Sequence, residues 1–207
     1  MNLTPEQLTS NGYKLKDTLV HSELVPFIQL YMKKRTLSSI FYIAANAVSL
    51  GLIVFFAFIG IQSEAVDFGE VISKVGLGFA LAFLLLPIHE IIHALAYKLM
   101  GAKEVSFDAD LKKFIFLAVA HRFVAIRKEF QIVAIAPFAV ISILLLLSLF
   151  FTPSGWSYTI LGILFAHTAF CSGDFGLLSY FDFHADNDIV TYDDKENKVS
   201  FFYEKVS

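Results

Sequence analysis

The stretch His89-Glu90-Ile91-Ile92-His93 is an H-E-x-x-H motif inside a mostly apolar segment, residues 75–100. On a helix, positions i and i+4 lie one turn apart on the same face, so both imidazoles can bind one metal ion while the intervening carboxylate reaches the attacking water. The composition predicts on the order of 0.01 chance occurrences of this pattern. A chance origin on a polar helix is the alternative, but ionisable groups at bilayer depth are costly and usually functional. The motif therefore predicts a metal site.

The composition predicts that this site lies in a membrane. The chain is 57% hydrophobic and 17% charged, with a mean hydropathy of +0.66, whereas a soluble domain carries about 25% charged residues. Four apolar segments are each long enough to cross a hydrocarbon core of about 30 Å. They run from Leu37 to Ile61, from Val75 to Met100, from Phe130 to Phe151 and from Trp156 to Phe183. We predict an all-α membrane protein with four transmembrane helices and small cytoplasmic β-hairpin additions.

The distribution of positive charge predicts the orientation of these spans. Of the sixteen Lys and Arg residues, only Lys74 falls in the loops between spans one and two or between spans three and four. By the positive-inside rule, both termini and residues 101–129 face the cytoplasm at the cell membrane. The predicted organisation is a cytoplasmic N-terminal segment (1–36), a four-span domain that holds the zinc site (37–183) and a cytoplasmic C-terminal hairpin (184–207).

The polar ends of the chain carry their own local signals. Thr4-Pro5-Glu6-Gln7 predicts a helix start with a capping box. Residues 189–192 and 199–203 predict the two strands of the C-terminal hairpin, and residues 114–120 and 123–126 predict one or two strands between spans two and three.

A second polar cluster lies in the fourth span and contains Asp174. An Asp deep in an apolar segment needs a partner. At 1.5 Å per residue from the outer ends of their spans, His89 lies roughly 21 Å deep and Asp174 roughly 27 Å deep, so the two can meet towards the cytoplasmic side. We predict Asp174 as the third zinc ligand, because two His and one carboxylate leave a coordination position for water. A structural partner of His167 or of a backbone amide is the other interpretation of Asp174.

His167 competes with Asp174 for the ligand position, since seven residues separate them on nearly the same helix face. Asp174 matches the depth of His93 better. The functional interpretation of His167 is a hydrogen bond to a ligand or to the substrate carbonyl, which makes it a catalytic candidate beside Glu90. The alternative is a buried neutral imidazole bonded to a backbone carbonyl. Cys171 is interpreted as a small buried residue.

These residues resemble those of a known family. The His89-Glu90-x-x-His93 motif in one span and the Gly173-Asp174 pair in a later one are similar to intramembrane metalloproteases of the site-2 protease type. The closer resemblance is to small bacterial membrane proteins described as zincin peptidases, and it covers most of the chain. In site-2 proteases the third ligand belongs to a Leu-Asp-Gly element, whereas here the order is Gly173-Asp174-Phe175-Gly176. The resemblance implies zinc, peptide hydrolysis and a membrane protein or peptide substrate.

Three functions remain open at this point. The first is a zinc-dependent intramembrane or membrane-proximal endopeptidase in which Glu90 is the general base. The second is a non-enzymatic membrane adaptor or assembly factor with a structural zinc site. The third is a zinc hydrolase that acts on a lipid or a small amide. The sequence contains no nucleic-acid motif and no phosphate-binding Gly-rich loop, so the expected partners are a bilayer and a membrane substrate.

The predicted topology can be checked by cysteine labelling. Glu70→Cys is expected to react with a membrane-impermeant thiol reagent in intact cells, and Lys112→Cys only after the membrane is permeabilised, because the charge distribution places them on opposite sides. Labelling of both positions from the same side would contradict the four-span arrangement.

Overall fold

The computed structural model describes residues 3–110 and 115–206. This part of the chain contains helices and antiparallel strands. The helices are α1 (Pro5–Leu8), α2 (Leu24–Met32), α3 (Leu37–Gln62), α4 (Phe68–Ala82), α5 (Leu86–Leu99), α6 (Arg127–Ser148), α7 (Ser157–Phe170) and α8 (Ser172–Phe183). The strands are β1 (Tyr13–Val20), β2 (Val105–Asp110), β3 (Ile115–Ala120), β4 (Ala125–Ile126), β5 (Ile189–Asp194) and β6 (Val199–Lys205).

Three helical segments among the described residues are long and apolar enough to cross a membrane: Leu37–Gln62, Phe68–Leu99 and Arg127–Ser148. The pair α7 and α8 passes the same test together but is bent by 43°. The second segment starts seven residues before the predicted Val75, and the fourth is interrupted at Cys171. The count of four membrane crossings stays a prediction.

Proline explains where the second segment is interrupted. A 3-10 turn, Phe83–Leu85, separates α4 from α5. Pro87 has no N–H to donate to the carbonyl of Phe83, four residues earlier, and its ring crowds that carbonyl. The missing hydrogen bond at Pro87 accounts for the short break between α4 and α5. Pro137, by contrast, lies inside α6 without ending it.

The chain divides into two compact units. Unit one comprises Met1–Ser39, Glu90–Pro137 and Gly173–Ser207, and unit two comprises Ile40–His89 and Phe138–Ser172. The division falls inside α5, between the first two residues of the H-E-x-x-H motif.

Unit two is built on a very close contact between α4 and α7. A Cβ added to Gly78 would lie 2.2 Å from the carbonyl oxygen of Thr159, and one added to Gly162 would lie 2.5 Å from the carbonyl oxygen of Val75. Only glycine permits backbones to approach this closely. Beside this contact, Ile53 of α3 packs with two buried leucines of α7, Leu161 and Leu164.

Unit one contains a four-stranded sheet in the order β1-β6-β5-β4 and a separate β2-β3 pair. The predicted C-terminal hairpin is present as β5 and β6. The N-terminal capping box is confirmed at Thr4 and Gln7. Strand β1, which pairs antiparallel with β6, was not predicted from the sequence. The strands expected around residues 114–126 are present from Ile115 onwards, although β3 pairs with β2 and β4 with β5; Phe114 lies outside the described residues.

Helix α8 packs against α2 in unit one. A Cβ on Gly176 would lie 2.5 Å from Cγ2 of Ile28, so the glycine allows the two helices to approach. Tyr180 donates a hydrogen bond of 2.7 Å to Asp17. Asp182 accepts hydrogen bonds from the N–H and hydroxyl of Ser38, at 2.8 and 2.6 Å. Gly176 thus has a packing role between α8 and α2, and Asp182 connects α8 to the start of α3.

The α4–α7 contact can be tested with two glycines of the same helix. Gly78→Ala is expected to destabilise the protein by about 1–3 kcal/mol, because the new methyl group overlaps backbone atoms that cannot rotate away. Gly76→Ala is the matched control, since nothing lies within 4 Å of its Cβ position. Thermal unfolding in detergent measures both. An equal loss of stability in the two variants would show that the close approach of α4 and α7 does not depend on Gly78.

Candidate metal centre

The H-E-x-x-H motif lies on α5, as the sequence predicted. His89, Glu90 and His93 offer ligand atoms that all lie within 4.8 Å of one another. His89 is 6% exposed and His93 8% exposed. Polar side chains this deeply buried need partners, and the partners of the two imidazoles define the site.

His93 has a defined partner at each ring nitrogen. Its Nδ1 donates a hydrogen bond of 2.9 Å to the backbone carbonyl of Val133 on α6. Its Nε2 lies 3.0 Å from Oδ1 of Asp174 on α8. A neutral ring with its proton on Nδ1 presents a lone pair to the carboxylate, so these two atoms need a proton or a cation between them. The predicted association of His93 with Asp174 is present in the structure.

His89 faces the other predicted residue of the fourth span. Its Nδ1 lies 3.5 Å from Nε2 of His167. The Sγ of Cys171 lies 3.8 Å from the same His167 nitrogen and donates to the His167 carbonyl oxygen at 3.3 Å. All three side chains are buried, and their ligand atoms lie within 4.8 Å of one another. Cys171 is buried as expected, but the sequence analysis did not foresee its position beside two imidazoles.

A cavity of unit one opens onto the motif. Glu90, His93 and Asp174 line it, together with residues of β3, α6 and α8. Its other walls are mostly apolar: Tyr97, Phe116, Leu117, Ala118, Phe130, Val133, Ala134 and Leu177. Carboxylates and an imidazole at the edge of such a cavity can bind a metal ion, and the apolar walls can exclude bulk water from it.

Two features of this centre could not be foreseen from residue types. The carbonyl of Val133 holds the His93 ring, and a backbone acceptor leaves no mark in the sequence. His121 accepts a hydrogen bond of 3.2 Å from the backbone N–H of Lys195, 74 residues later in the chain, and residue types do not show this contact.

Comparison with known proteins assigns the chain to a family. A family model described as "Putative zincin peptidase" matches residues 82–186, slightly more than half of the 207 residues. The chain belongs to this family. The matched segment contains His89, Glu90, His93, His167 and Asp174. No curated protein matches the chain, and no solved structure does.

Membership of the zincin peptidase family agrees with the chemistry of the side chains. Zincins are zinc-dependent peptidases, and imidazole and carboxylate are zinc ligands. The His93 ring also has the arrangement typical of a zinc-bound imidazole, in which the second nitrogen donates to a backbone carbonyl and so fixes the ring.

Measurements of metal content can show whether Asp174 or His167 belongs to the zinc ligands. Asp174→Ala is expected to lose stoichiometric zinc, because it removes the carboxylate that faces His93. His167→Ala is expected to retain zinc at saturation with about 10- to 100-fold weaker affinity, the usual cost of losing a group that orients a ligand imidazole. Elemental analysis and competition with a chelator measure both quantities.

Cys171→Ser is the matched control for these variants, since it changes a neighbour of His167 and leaves the carboxylate in place. It is expected to bind zinc as the unchanged protein does. Release of zinc from Cys171→Ser and His167→Ala, with retention in Asp174→Ala, would move the ion to the His89, His167 and Cys171 group.

Proposed function

We propose that this chain is a membrane-embedded zinc endopeptidase in which His89, His93 and Asp174 hold the metal. The observation that carries the proposal is the contact between Nε2 of His93 and Oδ1 of Asp174, 3.0 Å apart, with Nδ1 of the same ring bound to a carbonyl. Two acceptor atoms at this separation are suited to share one cation.

The second imidazole supports the same assignment. Nδ1 of His89 lies 3.5 Å from Nε2 of His167, and in this proposal the other ring nitrogen, Nε2, binds the metal. Both rings of the motif would then bind the ion through the same nitrogen and be oriented through the other. In this proposal His167 positions His89 and is not itself a ligand.

The chemistry of the proposed reaction is divided between the ion and Glu90. Zinc, when bound, polarises the scissile carbonyl and lowers the pKa of water to about 7. Glu90 lines the cavity beside His93 and Asp174, where its carboxylate takes the proton of the attacking water and passes it to the leaving amine. Asp174 and the two imidazoles supply the ligands, and the apolar walls keep the reaction away from bulk water.

The surface of unit two supports a location in the bilayer. Only 11% of the most apolar 18-residue stretch of α3 is buried. Ile43, Val54 and Phe58 are 61%, 61% and 64% exposed. A continuous apolar surface of this kind is stable in lipid and not in water. In this proposal both termini and residues 101–129 face the cytoplasm, as the distribution of Lys and Arg predicts.

Strand β3 supports a peptide as the substrate. Residues Phe116, Leu117 and Ala118 line the cavity that contains Glu90. Among the described residues, β3 forms a ladder only with β2, and the residue that follows it, His121, forms a single parallel bridge to Asp193 of β5. In this proposal an extended segment binds through main-chain hydrogen bonds along β3 ahead of that bridge. A membrane protein whose helix has unwound near its end would present such a segment.

A non-enzymatic adaptor with structural zinc is the second candidate. The buried group of His89, His167 and Cys171 favours it, because a site enclosed by imidazole and thiolate ligands resembles structural zinc sites. The zinc hydrolase of a lipid or small amide remains the third alternative, and profiling of membrane extracts for consumed amides and esters would detect it.

The general base provides the test of the proposed reaction. Glu90→Gln is expected to keep its zinc and to lower cleavage of a membrane peptide about a hundred- to ten-thousand-fold, the range for loss of a positioned acid-base group. Zinc content and cleavage of reporter peptides in lipid vesicles are measured on the same preparation. Glu70→Gln is the control, since its exposed carboxylate pairs with Lys74 and lies outside the cavity.

Zinc retained by both the unchanged protein and Glu90→Gln, with no peptide cut by either, would favour the adaptor. Loss of zinc from Glu90→Gln would show that this carboxylate is a ligand and would require another base.

A further inference from the structure

A second cavity of unit one adjoins the one that contains Glu90. The two share the walls formed by Tyr97, Leu117, Ala118, Phe130 and Leu177. Beyond these walls the second cavity is lined by apolar side chains, such as those of Leu19, Leu24 and Phe202, and by four polar ones, His21, Thr191, Asp193 and Ser200. The second cavity is therefore an apolar space with a polar cluster, next to the proposed catalytic residues.

The polar cluster is connected by hydrogen bonds. Ser200 Oγ donates to Oδ1 of Asp193 at 2.6 Å. A serine hydroxyl has one proton, so at the contact of 3.2 Å between His21 Nε2 and Ser200 Oγ the imidazole is the donor. The proton of a neutral His21 ring is thus on Nε2, and its Nδ1 is an acceptor. Among the described residues, Nδ1 of His21 has no hydrogen-bond partner although it is buried.

This cluster has acceptors in excess. Asp193 contributes a carboxylate, and His21 a nitrogen lone pair. Burial raises the pKa of Asp193 and lowers that of His21, so water stabilises neither charge well. The nearby cation Lys198 is already bound to Asp108 at 2.9 Å. No Lys or Arg of the described residues forms an ion pair with Asp193, and a buried carboxylate of this kind is best stabilised by a cation.

We propose that this second cavity is a substrate subsite that binds a Lys or Arg side chain near the scissile bond. The apolar walls suit the methylene stem of such a side chain, and Asp193 with His21 supplies acceptors for its charged end. The inference rests on the proposed endopeptidase function. It also agrees with the proposed orientation, because membrane proteins carry an excess of Lys and Arg at the cytoplasmic ends of their helices.

Peptide scanning in the unchanged protein tests the subsite without any variant. A series of reporter peptides is prepared in lipid vesicles, and each carries a single Lys at a different position around the cleaved bond. A parallel series carries norleucine at the same positions. At one position kcat/KM is expected to be about 10- to 100-fold higher for Lys, the usual gain from hydrogen bonds to a charged group. Equal values at every position, for peptides that are cut, would overturn the proposal.

Asp193→Asn assigns the preference to the cavity. The amide keeps an acceptor for Ser200 but lacks the charge, so the ratio of Lys to norleucine cleavage is expected to fall to about one. Asp194→Asn is the matched control; the neighbouring carboxylate is bound to Asn197 in an exposed turn, and the ratio should be unchanged. A preference that survives in Asp193→Asn would place the recognition elsewhere.

Binding to Glu90→Gln distinguishes failure of the subsite from failure of the proposed reaction. Fluorescence anisotropy of the labelled Lys and norleucine peptides gives their affinities whether or not any bond is cut. If the unchanged protein cleaves neither peptide, but Glu90→Gln binds the Lys peptide more tightly and Asp193→Asn abolishes this preference, the cavity is a binding site and the peptidase proposal is contradicted. If the unchanged protein cleaves both peptides and Glu90→Gln binds them equally, the peptidase proposal stands and the subsite is contradicted.

Discussion

The contact between His93 and Asp174 is the interaction on which the arrangement of this centre depends. Each group alone would be costly among apolar helices, and the contact between them lowers that cost for both. With the carbonyl of Val133 on the second ring nitrogen, the imidazole connects three helices, α5, α6 and α8. A shift of any one of them by a turn, about 5.4 Å, would separate atoms that now lie 3.0 Å apart. The requirement to satisfy one buried imidazole thus fixes the alignment of these helices.

Local chemistry explains how much of the fold could be predicted. The helical motif follows from the i, i+4 spacing of His89 and His93, and the start of α1 from the capping residues after Thr4. The break before α5 follows from Pro87. Strand β1 was not predicted, because it is stabilised by pairing with β6, which lies far away in the sequence. Pairing between such distant segments has no local signal. The same holds for the pairing of β3 with β2.

Of the contacts in the candidate site, likewise, only some could be predicted from the sequence. A depth estimate from the rise per residue matched Asp174 with His93, although the second segment begins seven residues before the predicted Val75 and both segments are interrupted. The proximity of His89 to His167 and Cys171 depends on side-chain directions in α5 and α7, which periodicity does not fix. The cluster of Asp193 and Ser200 with His21 joins the two ends of the chain and could not be read from spacing.

The pairing of β1 with β6 also has a consequence for biosynthesis. Strand β1 (Tyr13–Val20) leaves the ribosome long before its partner β6 (Val199–Lys205), so at about 5–20 residues per second roughly 10–40 seconds pass before the two can pair. During that interval both edges of β1 are unpaired. Its charged residues, among them Lys14, Lys16 and Asp17, discourage pairing with other nascent chains. The polar cluster that contains His21 and Ser200 can assemble only after Ser200 has been synthesised, which keeps this side of the cavity incomplete until then.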